Sequence, residues 1–191
     1  MEHATLTVIR EEHAALAAML RTLTMLLAEH RRRGTLPDFA VLRAMIFYID
    51  EFPERLHHTK ETALLFPRLR WRSDEANGLL DRLDREHAHG EAKSRELAQA
   101  LLAFDVMGES RRAAFESAAT RYVDFYLAHM STEEREILPL AERVLLPEDW
   151  AELDAAFARN RDPLTGHEPA PEYEALFRRI VCMVPAPLGL A

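Results

Sequence analysis

At 191 residues, with 48% hydrophobic and 29% charged side chains, the chain has the size of one domain with a sizeable core, and is too apolar to be a disordered one. A formal net charge of −8 argues against a nucleic-acid partner, because phosphate binding needs a basic face. The one cysteine, Cys182, leaves no disulfide framework and no thiolate cluster. No apolar run approaches the ~20 residues that span a bilayer, so the expected location is the cytoplasm.

Scarce glycine and abundant Ala, Leu, Glu and Arg predict an all-α chain. Segment A runs from about Thr5 to Arg33 and stops at Gly34. Its Leu6, Ile9, His13, Leu16, Leu20, Leu23, Leu27 and His30 alternate three and four apart, which predicts a buried seam. Segment B opens near Pro37 and ends near Pro67, with Pro53 expected to kink or split it. Segment C follows the Ser73-Asp74 cap and fades by Gly108. Its stripe is Leu80, Leu83, His87, Glu91, Ser94, Leu97 or Ala98, and Leu101. Segment D starts after Ser110 and reaches about Val144, with a stripe through Phe115, Tyr122, Phe125 or Tyr126, His129, Glu133, Ile137 and Leu140.

These four segments predict an up-down-up-down antiparallel four-helix bundle over residues 1–145. A C-terminal helical extension over 146–191 packs on it. One extension helix spans Pro147 to about Asn160, a Pro-rich loop follows, and a short amphipathic stretch covers Tyr173 to Met183. The apolar tail Pro185–Ala191 is expected to pack on the bundle or to join subunits into a homo-oligomer.

In segments A, C and D an ionisable residue interrupts an apolar stripe. Such groups must be paired or hold a metal, since an unpartnered buried charge is costly. Segments B and D also echo each other: His57-x3-Glu61-x3-Leu65-Phe66-Pro67 and His129-x3-Glu133-x3-Ile137-Leu138-Pro139. A spacing of four puts each His and Glu on one helix face. In an antiparallel hairpin, residues equidistant from the turn share a level. His13 and His57 are centred on residue 35, His57 or Glu61 with His87 on 72–74, and His87 with His129 on Gly108, each at a turn. Four histidines therefore converge on one layer, with Glu61 and Glu133 one turn away.

The same test sets other histidines aside. His30 lies about 25 Å along segment A from His13 at about 1.5 Å per residue and reads as a helix-end residue. His3 is likewise displaced, and His167 falls in the C-terminal loop. His58 and His89 point roughly 100° and 200° from their ligand neighbours, which makes them outer or exposed residues. Imidazole with carboxylate and no thiolate suits iron, with manganese or zinc as alternatives, and six ligands suit two ions about 3.5–4 Å apart with bridging carboxylates. A ferritin-like site is disfavoured: Glu54-x-x-His57 and Glu86-x-x-His89 exist, but Tyr126 stands where segment D would need its Glu.

Glu12-His13, the stretch 52–69 (FPERLHHTKETALLFPRL), the stretch 83–91 (LDREHAHGE) and the stretch 122–145 (YVDFYLAHMSTEEREILPLAERVL) resemble the hemerythrin-like, His-His-Glu cation-binding family over roughly residues 5–145. The resemblance implies His13, His57, His87 and His129 as terminal ligands of two non-haem irons, with Glu61 and Glu133 as bridges. Oxygen carriers of that family have a second histidine where Glu91 stands, and a carboxylate one residue later than Glu133, where Glu134 stands. The lost histidine points away from stable oxygen carriage and toward binding or sensing of dioxygen, nitric oxide or peroxide. Peroxidase, oxidase or nitric-oxide-reducing turnover is the alternative, as is a purely structural metal. Tyr122 and Tyr126 are candidates for donors beside the metals or for redox-active residues; ordinary core aromatics are the competing expectation.

Overall fold

The computed structural model describes residues 3–160, 162–168, 171 and 173–183. Every regular element among them is helical: α1 (Ala4–Arg33), α2 (Phe39–Ile49), α3 (His58–Lys60), α4 (Phe66–Arg72), α5 (Asn77–Met107), α6 (Arg112–Thr132), α7 (Leu138–Val144), α8 (Pro147–Phe157) and α9 (Glu174–Met183). No helix is long and apolar enough to cross a membrane. The expected apolar tail, 185–191, lies outside the described residues.

Local chemistry sets the helix ends. Gly34 takes a left-handed conformation (φ 63°), and the Thr35 N–H reaches back to the His30 carbonyl at 3.0 Å, closing α1. His30 and Arg31–Arg33 occupy the last turn, where cations suit the helix dipole. Asp38 caps α2, accepting from the N–H groups of Ala40 and Val41. The Ser73 hydroxyl accepts from the Glu75 N–H in a short turn, so α5 begins at Asn77 rather than directly after Ser73-Asp74. Arg112 donates to the Thr35 carbonyl at 2.7 Å, joining the 34–38 turn to the 108–111 turn at one end. At the other end Arg143 meets Glu75 and Arg72 meets Asp149, at 2.6 and 2.8 Å.

Segment B does not stop at Pro67. Proline is tolerated in a first helical turn, and α4 carries it onward to Arg72. The break comes before each proline. Phe66 N–H bonds the Glu61 carbonyl and Leu138 N–H bonds the Glu133 carbonyl, both five residues back, so Glu61–Leu65 and Glu133–Ile137 are π-helical turns. Pro67 and Pro139 lack an N–H and their rings crowd the carbonyl four residues earlier, so the preceding turn widens. Around Pro53, Asp50–His57 is a longer π-helical stretch, closed by His58 N–H on the Pro53 carbonyl.

The core is divided. One apolar cluster gathers Leu16, Leu20, Leu23, Tyr48, Phe52, Leu97, Phe104, Phe115, Tyr126 and Met130. The other gathers Leu6, Ile9, Leu65, Phe66, Leu83, Ile137, Trp150 and Phe157. On α1, His13 falls between Ile9 of one cluster and Leu16 of the other. Between Phe52 and Leu65 come His57, His58 and Glu61; Glu133 sits between Met130 and Ile137. A polar layer thus lies inside the molecule, with apolar packing on both sides.

Candidate metal centre

Helix α1 delivers His13, and the π-broken segment delivers His57, His58 and Glu61. His87 comes from α5, His129 from α6, and Glu133 from the π turn after it. His13 Nε2 lies 3.2 Å from His57 Nε2, and His87 Nε2 lies 3.0 Å from His129 Nε2. The glutamates stand between these pairs. Glu61 Oε1 is 3.2 Å from His57 Nε2 and its Oε2 is 3.6 Å from His87 Nε2. Glu133 Oε2 is 3.4 Å from His13 Nε2, and its Oε1 is 3.3 Å from His129 Nε2 and 3.6 Å from His87 Nε2. Donor atoms of His13, His57, Glu61 and Glu133 fall within 4.8 Å of one another, as do those of His58, Glu61, His87 and His129.

Each ring's other nitrogen is held from outside. His57 Nδ1 bonds Glu12 at 2.7 Å and His129 Nδ1 bonds Glu86 at 2.8 Å. His13 Nδ1 bonds Glu134 at 3.1 Å and His87 Nδ1 meets the Thr62 hydroxyl at 2.8 Å. The pattern is two-fold. The glutamate preceding one α1 or α5 ligand holds the histidine of the following segment, and the residue after each inner glutamate holds the histidine of the opposite half. One position breaks the symmetry: after His57 comes His58, whereas after His129 comes Met130.

With carboxylates on Nδ1 of His13, His57 and His129, hydrogen bonding favours a proton there and leaves Nε2 of each facing the interior. Both oxygens of Glu61 and of Glu133 are buried without a hydrogen bond among the described residues. Facing lone pairs and bare carboxylate oxygens repel unless a cation sits among them. The donor set therefore fits metal ions, and it is the nitrogen–oxygen set that iron, manganese and zinc accept.

Electrostatics express the same demand for positive charge. Burial pulls the His57 imidazole down, but Glu61 and Glu12 outweigh it and hold it well above its ordinary value. His129 is depressed by burial and then pushed up to about 10 by Glu133 and Glu86. Burial opposes ionisation of Glu133, yet His129, His13 and His87 keep its carboxyl well below the usual range. His58 behaves oppositely: burial, then His87, His57 and His129, lower it well below its ordinary value. That favours its neutral imidazole, the form a metal ion takes up.

All six residues expected from the sequence meet here: His13, His57, Glu61, His87, His129 and Glu133. His58 corrects the expectation of an outer or exposed residue. It is 3% exposed, and its ring stacks on His87 with centroids 4.4 Å apart. Adjacent residues splayed by roughly 100° miss a single point, but two neighbouring clusters give each of them a destination. Glu91 also departs from its stripe. It is exposed and bonded to Arg95, while Gly90 takes the buried position in that turn. Glu134 lies outside the inner group, on His13. His30 bonds Thr35 at the end of α1, His3 stacks on Trp150, and His89 and His167 are exposed. Tyr126 stacks parallel to His58 at 5.8 Å, and the Tyr122 hydroxyl lies 3.0 Å from Ser94 Oγ. The outer holders Glu12, Glu86 and Thr62 were missed as such, although Glu12 and Glu86 each stand directly before a ligand histidine.

A search of curated proteins finds no match to the chain. A family model does match, the hemerythrin HHE cation binding domain, over residues 4–141. The chain belongs to the hemerythrin HHE cation-binding domain family.

Proposed function

We propose that this chain binds two iron ions and uses them to bind or sense dioxygen, nitric oxide or peroxide. The frame is an up-down-up-down four-helix bundle ending near residue 145. His13 and His57 would hold one ion and His58, His87 and His129 the other, with Glu61 and Glu133 supplying carboxylates between them. The observation that carries the reading is the set of four buried carboxylate oxygens without hydrogen bonds, enclosed by imidazole nitrogens. Bound iron would supply redox capacity and a coordination position for a small oxidant. The chain's own residues hold the ring orientations, exclude bulk water with the two apolar clusters, and balance charge with the glutamates. His58 would give the His87/His129 side a third imidazole, whereas the His13/His57 side offers two.

Anaerobic loading with Fe²⁺ followed by metal analysis tests this. Two ions per chain are expected, with an optical response to dioxygen or nitric oxide that His57→Ala loses. Protein that takes up no stoichiometric iron, with a His57→Ala variant indistinguishable from it, would remove the reading.

A second reading, peroxide turnover, is favoured by Tyr126, a buried oxidisable ring stacked on His58, with the Tyr122 ring tilted against it at 4.6 Å. Stopped-flow mixing of the reduced protein with peroxide separates the two. A binder consumes one equivalent and stops; an enzyme given a reductant keeps cycling.

A further inference from the structure

We propose that the loop after α8, which lies beyond the matched family region, is a working part of the metal centre: Asn160 positions Glu12 and, through it, the ligand His57. The proposal rests on the metal-binding reading above.

Glu12 is buried at 8% exposure, and a single oxygen of it, Oε2, accepts from both His57 Nδ1 (2.7 Å) and Asn160 Nδ2 (3.0 Å). A carboxylate held by one donor can rotate about its side chain; a second donor on the same oxygen fixes which oxygen faces the ring. The symmetry-related carboxylate, Glu86, is braced differently. Arg82, one turn earlier on the same helix, lies 3.4 Å from its other oxygen. The matching position before Glu12 is Val8, which offers no side-chain donor. The brace for Glu12 therefore comes from outside the bundle.

The loop is itself held in place. Asn160 is 4% exposed and its N–H bonds the Phe157 carbonyl at 2.8 Å. Tyr48 donates to Asp162 at 2.7 Å. Upstream, Asp154 accepts from both the N–H and the hydroxyl of Thr5, at 2.8 and 2.7 Å, tying α8 to the start of α1. Asn160 Oδ1 is buried without a hydrogen bond among the described residues. A residue serving only to fill that space would be apolar, because the buried amide oxygen costs stability. The amide is explained by what its nitrogen holds. A carboxylate fixed on Nδ1–H sets the tautomer and raises the basicity of Nε2, and loss of such an outer partner typically costs about 10–100-fold in metal affinity.

The test is an anaerobic titration of the full chain with Co²⁺ as a spectroscopic probe, beside thermal melting of the metal-free protein. Asn160→Ala is expected to weaken one of two ions about 10–100-fold and leave the other at its wild-type affinity. Asp154→Ala, which loosens α8 without touching Glu12, is expected to lower the melting temperature with both affinities unchanged. Asn160→Asp, which sets a carboxylate in place of the donor to Glu12 Oε2, is expected to weaken the same ion at least as much as Asn160→Ala. If Asn160→Ala leaves both affinities intact, or lowers both equally, the positioning role is wrong. A wild-type chain that binds no Co²⁺ or Fe²⁺ overturns the metal-binding reading instead.

Discussion

Beside the buried glutamates, protons on the imidazoles compete with metal for the same nitrogens. Burial would depress His129, but Glu133 and Glu86 push it up to about 10, and His13 and His57 are raised as well against the same burial, His13 by Glu133 and Glu134 and His57 by Glu61 and Glu12. At neutral pH the His129 ring holds a proton that a metal ion must displace, and the raised His13 and His57 rings lean the same way. Metal uptake at pH 7 is therefore expected to release protons, and affinity should rise with pH through the neutral range. Calorimetry in buffers of different ionisation enthalpy measures this directly; a heat that does not depend on the buffer contradicts it. His58 makes a separate prediction. Substitution by Ala should weaken the ion shared with His87 and His129 by at least about tenfold and spare the His13/His57 ion, an asymmetry that His57→Ala should reverse. The convergence of six candidate residues was legible because a repeated four-residue spacing and a common depth both point inward. His58 was not, since a one-residue offset reads as a different helix face unless two ion positions are known.

Among the elements, the π-helical turns tie proline to metal. Glu61 and Glu133 each begin a turn whose last bond skips to the fifth residue, and Pro67 or Pro139 follows each one. Replacing either proline by Ala restores a donor and removes the ring clash, so an ordinary i→i−4 turn becomes accessible. That change rotates the glutamate by part of a turn relative to Leu65 or Ile137, which anchor the segment in the apolar cluster. The expected result for Pro67→Ala and Pro139→Ala is metal affinity lowered about tenfold or more, with the metal-free melting temperature unchanged or raised. Unaltered affinity in both variants would mean that the wide turns have no part in aiming the glutamates. The sequence displayed the echo of His, Glu and Pro, and the proline at 53 marked a break. What it did not display was the extra residue in each turn, because periodicity over five residues cannot separate a spacing of 3.6 from one slightly larger. Glu91 failed for a related reason: Gly90 is silent in a hydrophobic pattern, yet it is the residue that turns inward.

For the molecule as a whole, a charged layer between two apolar clusters makes folding and metal binding one equilibrium. Without metal, carboxylate oxygens stay buried without hydrogen bonds, and that cost is carried by the fold. A ligand that binds only the folded chain adds about 4 kcal/mol per site at a thousandfold excess over its Kd. At about 2–4 °C per kcal/mol for a chain of this size, loading both ions should raise the melting temperature by on the order of 10 °C or more. The pH dependence sharpens this. His129 is raised from 6.5 to about 10 in the folded chain, so its contribution is full below pH 6.5 and disappears as pH rises toward 10. Glu133 is lowered, so its contribution is full above pH 4.5 and disappears on acidification. Metal-free protein should therefore be most stable between about pH 4.5 and 6.5 and lose stability from neutral to alkaline pH. Loaded protein should hold its melting temperature across that upper range, because the ions replace the protons that leave. Calorimetric melting of both forms at pH 6, 7.5 and 9 provides the comparison. A metal-free melting temperature that climbs steadily from pH 6 to 9 would mean that protons are not the stand-in for metal in this layer.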